Sequence, residues 1–362
     1  MQQSNVFYRK LLQLALPLTL QFMFTSSFLL IDSMMVAGLG EMSIGAVGIA
    51  GQFDMMLGLI LAGVLSGPAI FITQYFGQND YRAINRLAGL SLYCGLAIGI
   101  LFFIIITVGS HYLLIPFSQN KELLKMTSSF IAIVSYGYIA SAVTTVFAMS
   151  LKSIGDVKAV MYMTTLCLLL NTLLNYLLIY GNFGFPELGI HGAAIATLIG
   201  KLLLMFLIMV YVYTKRKEVA VPIRKPESVE RALTVKVFKV TLPIFVHETL
   251  WGLGTLGYMI AFGMLGSSAL AVIQISKVVS IFVFAAVAGF AQAAAVMIGE
   301  QIGRFEREQT HLYARRFTQI GIFLAVVIGT LLFTVRRRSL VCFSSMSRCI
   351  DRLLTSSEFF PA

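Results

Sequence analysis

Long apolar runs separated by short polar stretches dominate this sequence from residue 11 onward. Nine runs, roughly 11–39, 44–75, 87–109, 124–150, 159–181, 191–214, 240–265, 269–302 and 317–335, are long enough to cross a hydrocarbon layer, about 30 Å thick. Each is predicted to be a helix, because an open strand edge in lipid would leave backbone N–H and C=O groups unpaired. The pattern predicts an all-α polytopic membrane protein.

The runs also repeat. Residues 10–86 and 236–312 read as two copies of one unit at a constant offset of 226 without gaps. Pro17 falls on Pro243, Leu16 on Leu242, Gly40 on Gly266, Gly63 on Gly289, Ile72 on Ile298 and Gly77 on Gly303. An internal repeat of apolar spans is a common build for secondary transporters. With six runs in the first copy, an even number, the second enters the membrane in the same sense, so the lobes are parallel repeats. The expected organisation is an N-lobe at 1–214, a linker at 215–239 and a C-lobe at 240–335 holding three of an expected six spans. The tail, 336–362, opens on Arg336-Arg337-Arg338, carries five Arg and bears no visible likeness to the first unit after Gly109. It is expected to reflect a truncated or frame-shifted end.

Charge sharpens this picture. Hydrophobic residues are 58% of the chain and charged residues 12%, against about 25% charged in a soluble domain. The net charge of +11 is not a nucleic-acid signature, because the basic residues sit in alternate loops. Eighteen Lys and Arg, from Arg9 and Lys10 to Arg315 and Arg316, fall on one side, and only Lys121 and Lys125 on the other. This asymmetry predicts a cytoplasmic N-terminus. The four Cys have no metal-ligand spacing, and no phosphate loop, nucleophile elbow or zinc motif is present, so no enzyme class is indicated.

Acids inside the apolar runs are the candidate chemistry, since an ionised carboxylate at mid-bilayer costs about 2.5–3.5 kcal/mol. Asp32 lies about four turns beyond Pro17, a residue that removes a backbone hydrogen bond and kinks a helix. Glu248 follows Pro243 and shares a stripe with Trp251 and Gly254, which suits an organic cation through charge and cation–π attraction. The repeat equivalent of Asp32 is Tyr258, so the two acids are not symmetry mates. Asn171 and Asn175 lie one turn apart and would complete a polar site with Asp32 if the fifth span packs on the first. Asp54 reads as lying near the outer end of its span, solvated. Lys201 and Lys277 are expected to snorkel or pair with an acid, and His247 to pack on a face away from Glu248. Each of these residues also has a bland reading as helix packing or internal hydrogen bonding.

Taken together, several pieces resemble the multidrug and toxic compound extrusion (MATE) family. They are Leu16-Pro17, Asp32, Gly38-Leu39-Gly40, Gln74-Tyr75-Phe76-Gly77, Asn171 through Tyr176, Pro186 through Thr197, Leu242-Pro243, Glu248, Trp251, Gly254 and Gly289 through Ala295, ending at Gly299 and Gly303. The likeness covers about residues 8–335. It implies two helical lobes in a V and a secondary antiporter, monomeric and multi-pass in the cell (inner or plasma) membrane. Such an antiporter exports small organic cations or amphipathic drugs in exchange for Na⁺ or H⁺, with no other cofactor and no nucleic-acid partner. Asp32, Asn171, Asn175 and Thr197 would form the coupling site, with Na⁺ at Asp32. Glu248 would be a C-lobe coupling acid, Trp251 a lining residue of the substrate cleft, and Pro17 and Pro243 helix kinks. Asn175 stands where one branch of the family has Asp, and the tenth-helix acid that accompanies Glu248 in the other branch has no counterpart here. A non-transporting remnant, a lipid-linked saccharide flippase and another parallel-repeat carrier are the alternatives. A major-facilitator-type protein is disfavoured by the missing Gly-Asp-Arg loop motif.

Overall fold

The structure, a computed structural model, describes residues 2–117, 120–221, 230–264 and 267–330. These residues form α1 (Gln2–Ala37), α2 (Glu41–Gly77), α3 (Tyr81–Leu114), α4 (Lys121–Ser135), α5 (Gly137–Ser153), α6 (Val157–Tyr180), α7 (Ile190–Lys215), α8 (Arg231–Met264), α9 (Ser267–Gly303) and α10 (Arg307–Thr330). No strand occurs among them. The all-α polytopic class holds, with one helix or helix pair on each apolar run.

The fourth run departs from a single helix. It breaks at Tyr136 into α4 and α5, bent by 48°. Gly137 sits at the break because the stem of Lys201 occupies the space a side chain would need, 2.7 Å from an added Cβ. The linker also differs from expectation. Its residues 231–239 are the first turns of α8 rather than a connector. Residues 216–221 pack instead on the first lobe. Val219 and Val221 are buried with Ile84, Leu87, Phe147 and Val212, and Tyr213 donates its hydroxyl to the carbonyl of Val221 at 3.0 Å. Residues 222–229 and the tail 336–362 lie outside the described residues, as do the side chains of Tyr258 and Lys277.

The repeat is visible in backbone detail. Residues 77–80 end α2 in a Schellman turn. Gln78 N–H bonds to Gln74 O, Asn79 N–H to Phe76 O and Asp80 N–H to Tyr75 O. At the end of α9, Arg304 N–H bonds to Glu300 O, Phe305 N–H to Ile302 O and Glu306 N–H to Gln301 O, the same three bonds shifted by 226. Asn79 (φ 59°) and Phe305 (φ 60°) both take the left-handed conformation that closes such a turn.

The copies pack crosswise, α1 on α9 and α2 on α8, and glycines make the approach possible. A side-chain carbon on Gly77 would fall on the carbonyl of Glu300, and one on Gly303 on that of Gln74. Gly63 lies against the backbone of Phe245, and Gly289 against that of Thr19. Each pair is the other shifted by 226, so the interface is related to itself by a twofold. Small residues of this kind let helices touch where lipid offers no hydrophobic drive. The crosswise contacts are why residues up to Arg307 form one compact unit. α10 belongs to the second, and in it Tyr313 and Phe317 are buried.

Candidate functional site

A polar seam runs between α1 and α6. Gln21 Nε2 donates to Thr164 Oγ1 at 3.3 Å, and Asn175 Nδ2 donates to Asp32 Oδ1 at 2.9 Å. Both bonds join residues 143 apart, so the helices run parallel in fixed register. Thr172 Oγ1 donates to the same Asp32 oxygen at 3.3 Å. Beyond them, Tyr180 donates its hydroxyl to the carbonyl of Met35 at 2.9 Å. Asn175 is buried, and its Oδ1 has no partner. Among the described residues, Asp32 Oδ2 has no donor either. The site therefore presents two free oxygen acceptors beside a carboxylate, inside a seam of apolar helices.

The structure brings Asn175 to Asp32 but not Asn171 or Thr197. Asn171 lies against Gly200 of α7, whose missing side chain leaves it room. Thr197 donates to the carbonyl of Ala193 in its own helix at 2.9 Å. The expectation that both amides reach the acid fails because neighbouring stripes of α6 meet different helices. Thr172 was missed. Its signals are its place one turn before Asn175 and its position inside the Asn171–Tyr176 piece.

Glu248 sits apart, on the stripe of α8 that faces α2, beside Gly63. His247 is exposed rather than packed, and its Nδ1 lies 3.5 Å from Glu248 Oε1. Trp251 is half exposed and stacks on Phe284 of α9, with ring centroids 6.3 Å apart and planes at 19°. Phe284 carried no sequence signal, since the pair depends on how α8 meets α9. Pro17 and Pro243 lie inside α1 and α8, and Pro68, passed over in the sequence, lies inside α2.

Three further carboxylates, Asp54, Glu300 and Asp156, stand in ion pairs. Asp54 is not left to solvent alone: its side chain is 37% exposed, but its Oδ1 lies 2.6 Å from Lys201 Nζ. Glu300 is held by Lys10 at 2.5 Å and Arg304 at 2.7 Å. It borders a cavity of about 370 Å³ together with Gln13, Asp156 and Lys158. Asp156 turns away to Tyr211 and to Arg216, 2.6 Å distant. That bond holds the Arg216 guanidinium still more firmly in its charged form. No group of three or more His, Cys, Asp or Glu that could hold a metal occurs among the described residues.

The MatE family model matches residues 17–177 and again residues 243–354, two matches that begin 226 residues apart. The chain belongs to the MatE family. Its members are transporters rather than enzymes, and the chain is a multi-pass membrane protein of this multidrug-efflux family. A probable multidrug resistance protein NorM of Thermotoga maritima is 23% identical over 95% of this chain and 74% of its own length. A probable multidrug resistance protein NorM of Agrobacterium fabrum is 27% identical over 75% of this chain and 59% of its own. The chain thus spans between about three fifths and three quarters of these two curated relatives. A solved structure described as the outward-facing conformation of a multidrug resistance MATE family transporter superposes with a TM-score of 0.78. It is 20% identical and covers 88% of this chain and 70% of that one. The likeness extends the MatE assignment to the fold.

Proposed function

We propose that this chain is an antiporter of organic cations and amphipathic compounds, driven by Na⁺ or H⁺. It would work as a monomer in the plasma membrane with its basic face toward the cytoplasm. The observation that carries this reading is the Asp32 site. A carboxylate within an apolar lobe is costly unless it is paired, hydrogen-bonded or protonated, and among the described residues Asp32 has Asn175 and Thr172 as donors and no Lys or Arg partner. The unpartnered Oδ1 of Asn175 supplies a second oxygen, which suits a hard cation that takes oxygen ligands. A proton on Asp32 would answer the same need.

In this reading, ion or proton binding at Asp32 favours one of two states of the lobes, and substrate favours the other. A ligand moves such an equilibrium only by its difference in affinity for the two states. Glu248 is a second coupling acid, and Trp251 with Phe284 is an aromatic surface for a flat cation. The test is ethidium efflux from proteoliposomes under an imposed Na⁺ or pH gradient. Asp32→Asn should abolish gradient-driven efflux while ethidium still binds. Undiminished coupled efflux in that variant would remove Asp32 from the mechanism.

A further inference from the structure

Lys201 stands eleven residues into α7, about 16 Å along its axis, where a cation is costly. Three features are built around it. Asp54 of α2 pairs with it at 2.6 Å. The ring of Tyr138 lies under its ammonium, 5.1 Å to the centroid. Gly137, at the break between α4 and α5, leaves space for its stem.

A sealed structural ion pair accounts for only part of this arrangement. Lys201's side chain is 18% exposed, but that of Asp54 is 37% exposed. Leu59, Gly63 and Gly67 of α2 meet α8. Asp54 lies nine residues from Gly63, about two and a half turns, and so on the opposite side of α2. Asp54 therefore faces away from the crosswise interface, toward Lys201 of α7. The hydroxyl of Tyr138 is fully buried with no partner, an arrangement native interiors seldom tolerate without a ligand or water. An ammonium has three donors, and Asp54 takes one of them.

We propose that Lys201 and the Tyr138 hydroxyl form an anion subsite for the carboxylate of an amphipathic organic substrate, with Asp54 as the resident counter-ion that this carboxylate displaces. One carboxylate oxygen meets Lys201 and the other meets Tyr138. Asp54, the more exposed member of the pair, is the one with room to swing aside. This rests on the export reading above and names a chemical class within it.

The test uses the full chain in nanodiscs and two probes that differ at one group, a rhodamine ethyl ester and its free acid, with binding read by fluorescence polarisation. Asp54→Asn removes the competitor and should tighten the acid severalfold. The neutral pair Lys201→Gln with Asp54→Asn should weaken the acid by about tenfold, the worth of one charge-assisted hydrogen bond. Tyr138→Phe should weaken it by less. Ester binding should hold in all three variants, which also shows that they fold. Parallel changes in both probes, or an acid indifferent to Asp54→Asn, would overturn the subsite. Ester binding without acid binding in the wild type would defeat the subsite alone. No binding of either probe would defeat the subsite and the export reading together.

Discussion

Glu300 occupies in the second copy the position that Gln74 occupies in the first, and it is the one that carries charge. The acid is buried, 7% exposed, between Lys10 of α1 and Arg304 of its own helix. It ties the first helix of one copy to the second helix of the other. Glu300→Gln would leave two cations facing an amide. Lys10 and Arg304 are 33% and 49% exposed, so both can turn to solvent, and the cost falls below that of a fully buried pair. We expect a loss of about 1–3 kcal/mol, read as a lower thermal midpoint of the purified chain in detergent. An unchanged midpoint would show that the pair holds nothing together.

Gly303→Ala should be among the most damaging small substitutions, because the new methyl meets the carbonyl of Gln74, a backbone group that cannot step aside. Gly77→Ala should match it through Glu300. Overpacking of this kind costs about 1–3 kcal/mol. Gly51→Ala is the control, with nothing within 4 Å of the added carbon. It should be neutral or raise stability by up to about 1 kcal/mol, the helix preference for Ala over Gly. Equal thermal midpoints for the Gly51 and Gly303 variants would contradict the close backbone approach.

Phe305 holds a left-handed backbone conformation that a bulky residue adopts at a cost of about 1–2 kcal/mol. Its repeat partner Asn79 holds the same conformation at less cost. Phe305 is exposed, so replacing it forfeits little packing. Phe305→Asn should stabilise the chain by about 1 kcal/mol, and Asn79→Phe should do the reverse. Thermal unfolding of both variants checks the pair, and a destabilised Phe305→Asn would mean that the ring is held by contacts worth more than the strain.

At the Asp32 site the bond lengths rank the partners. Asn175→Ala should raise the half-saturating Na⁺ concentration for ethidium efflux by about tenfold, since it removes both the donor that holds the ionised Asp32 and a free oxygen acceptor beside it. Thr172→Val, removing a longer bond, should do less. Thr197→Val should do nothing to coupling, because its hydroxyl is spent on Ala193. A coupling defect at Thr197 equal to that at Asn175 would mean that the working site differs from the one described.

The helices on the nine apolar runs and the 226-residue offset were legible because lipid imposes length and apolarity, and duplication leaves identical glycines behind. Asp32 stood out for the same reason, as a charge where charge is costly. Pairings were not legible. Asn171 and Asn175 share a helix face, yet only a rotation of some tens of degrees decides which of them meets α1 and which meets α7. Asp54 looked like a solvated end residue because nothing in its own span announces Lys201, 147 positions away. The break at Tyr136 was hidden for the same reason, since Gly137 serves a side chain from another helix. Residues 216–221 read as a charged connector because Val219 and Val221 are too few to register as an apolar run.

Gly63, Gly77, Gly289 and Gly303 each press on the main chain of the opposite copy, in two mirrored pairs. Neither half of this chain can therefore drift alone at these four places. A bulge gained on one side meets backbone on the other, where no compensating trim of a side chain is available. The duplication thus carries its own constraint, each half acting as the mould in which the other was cast.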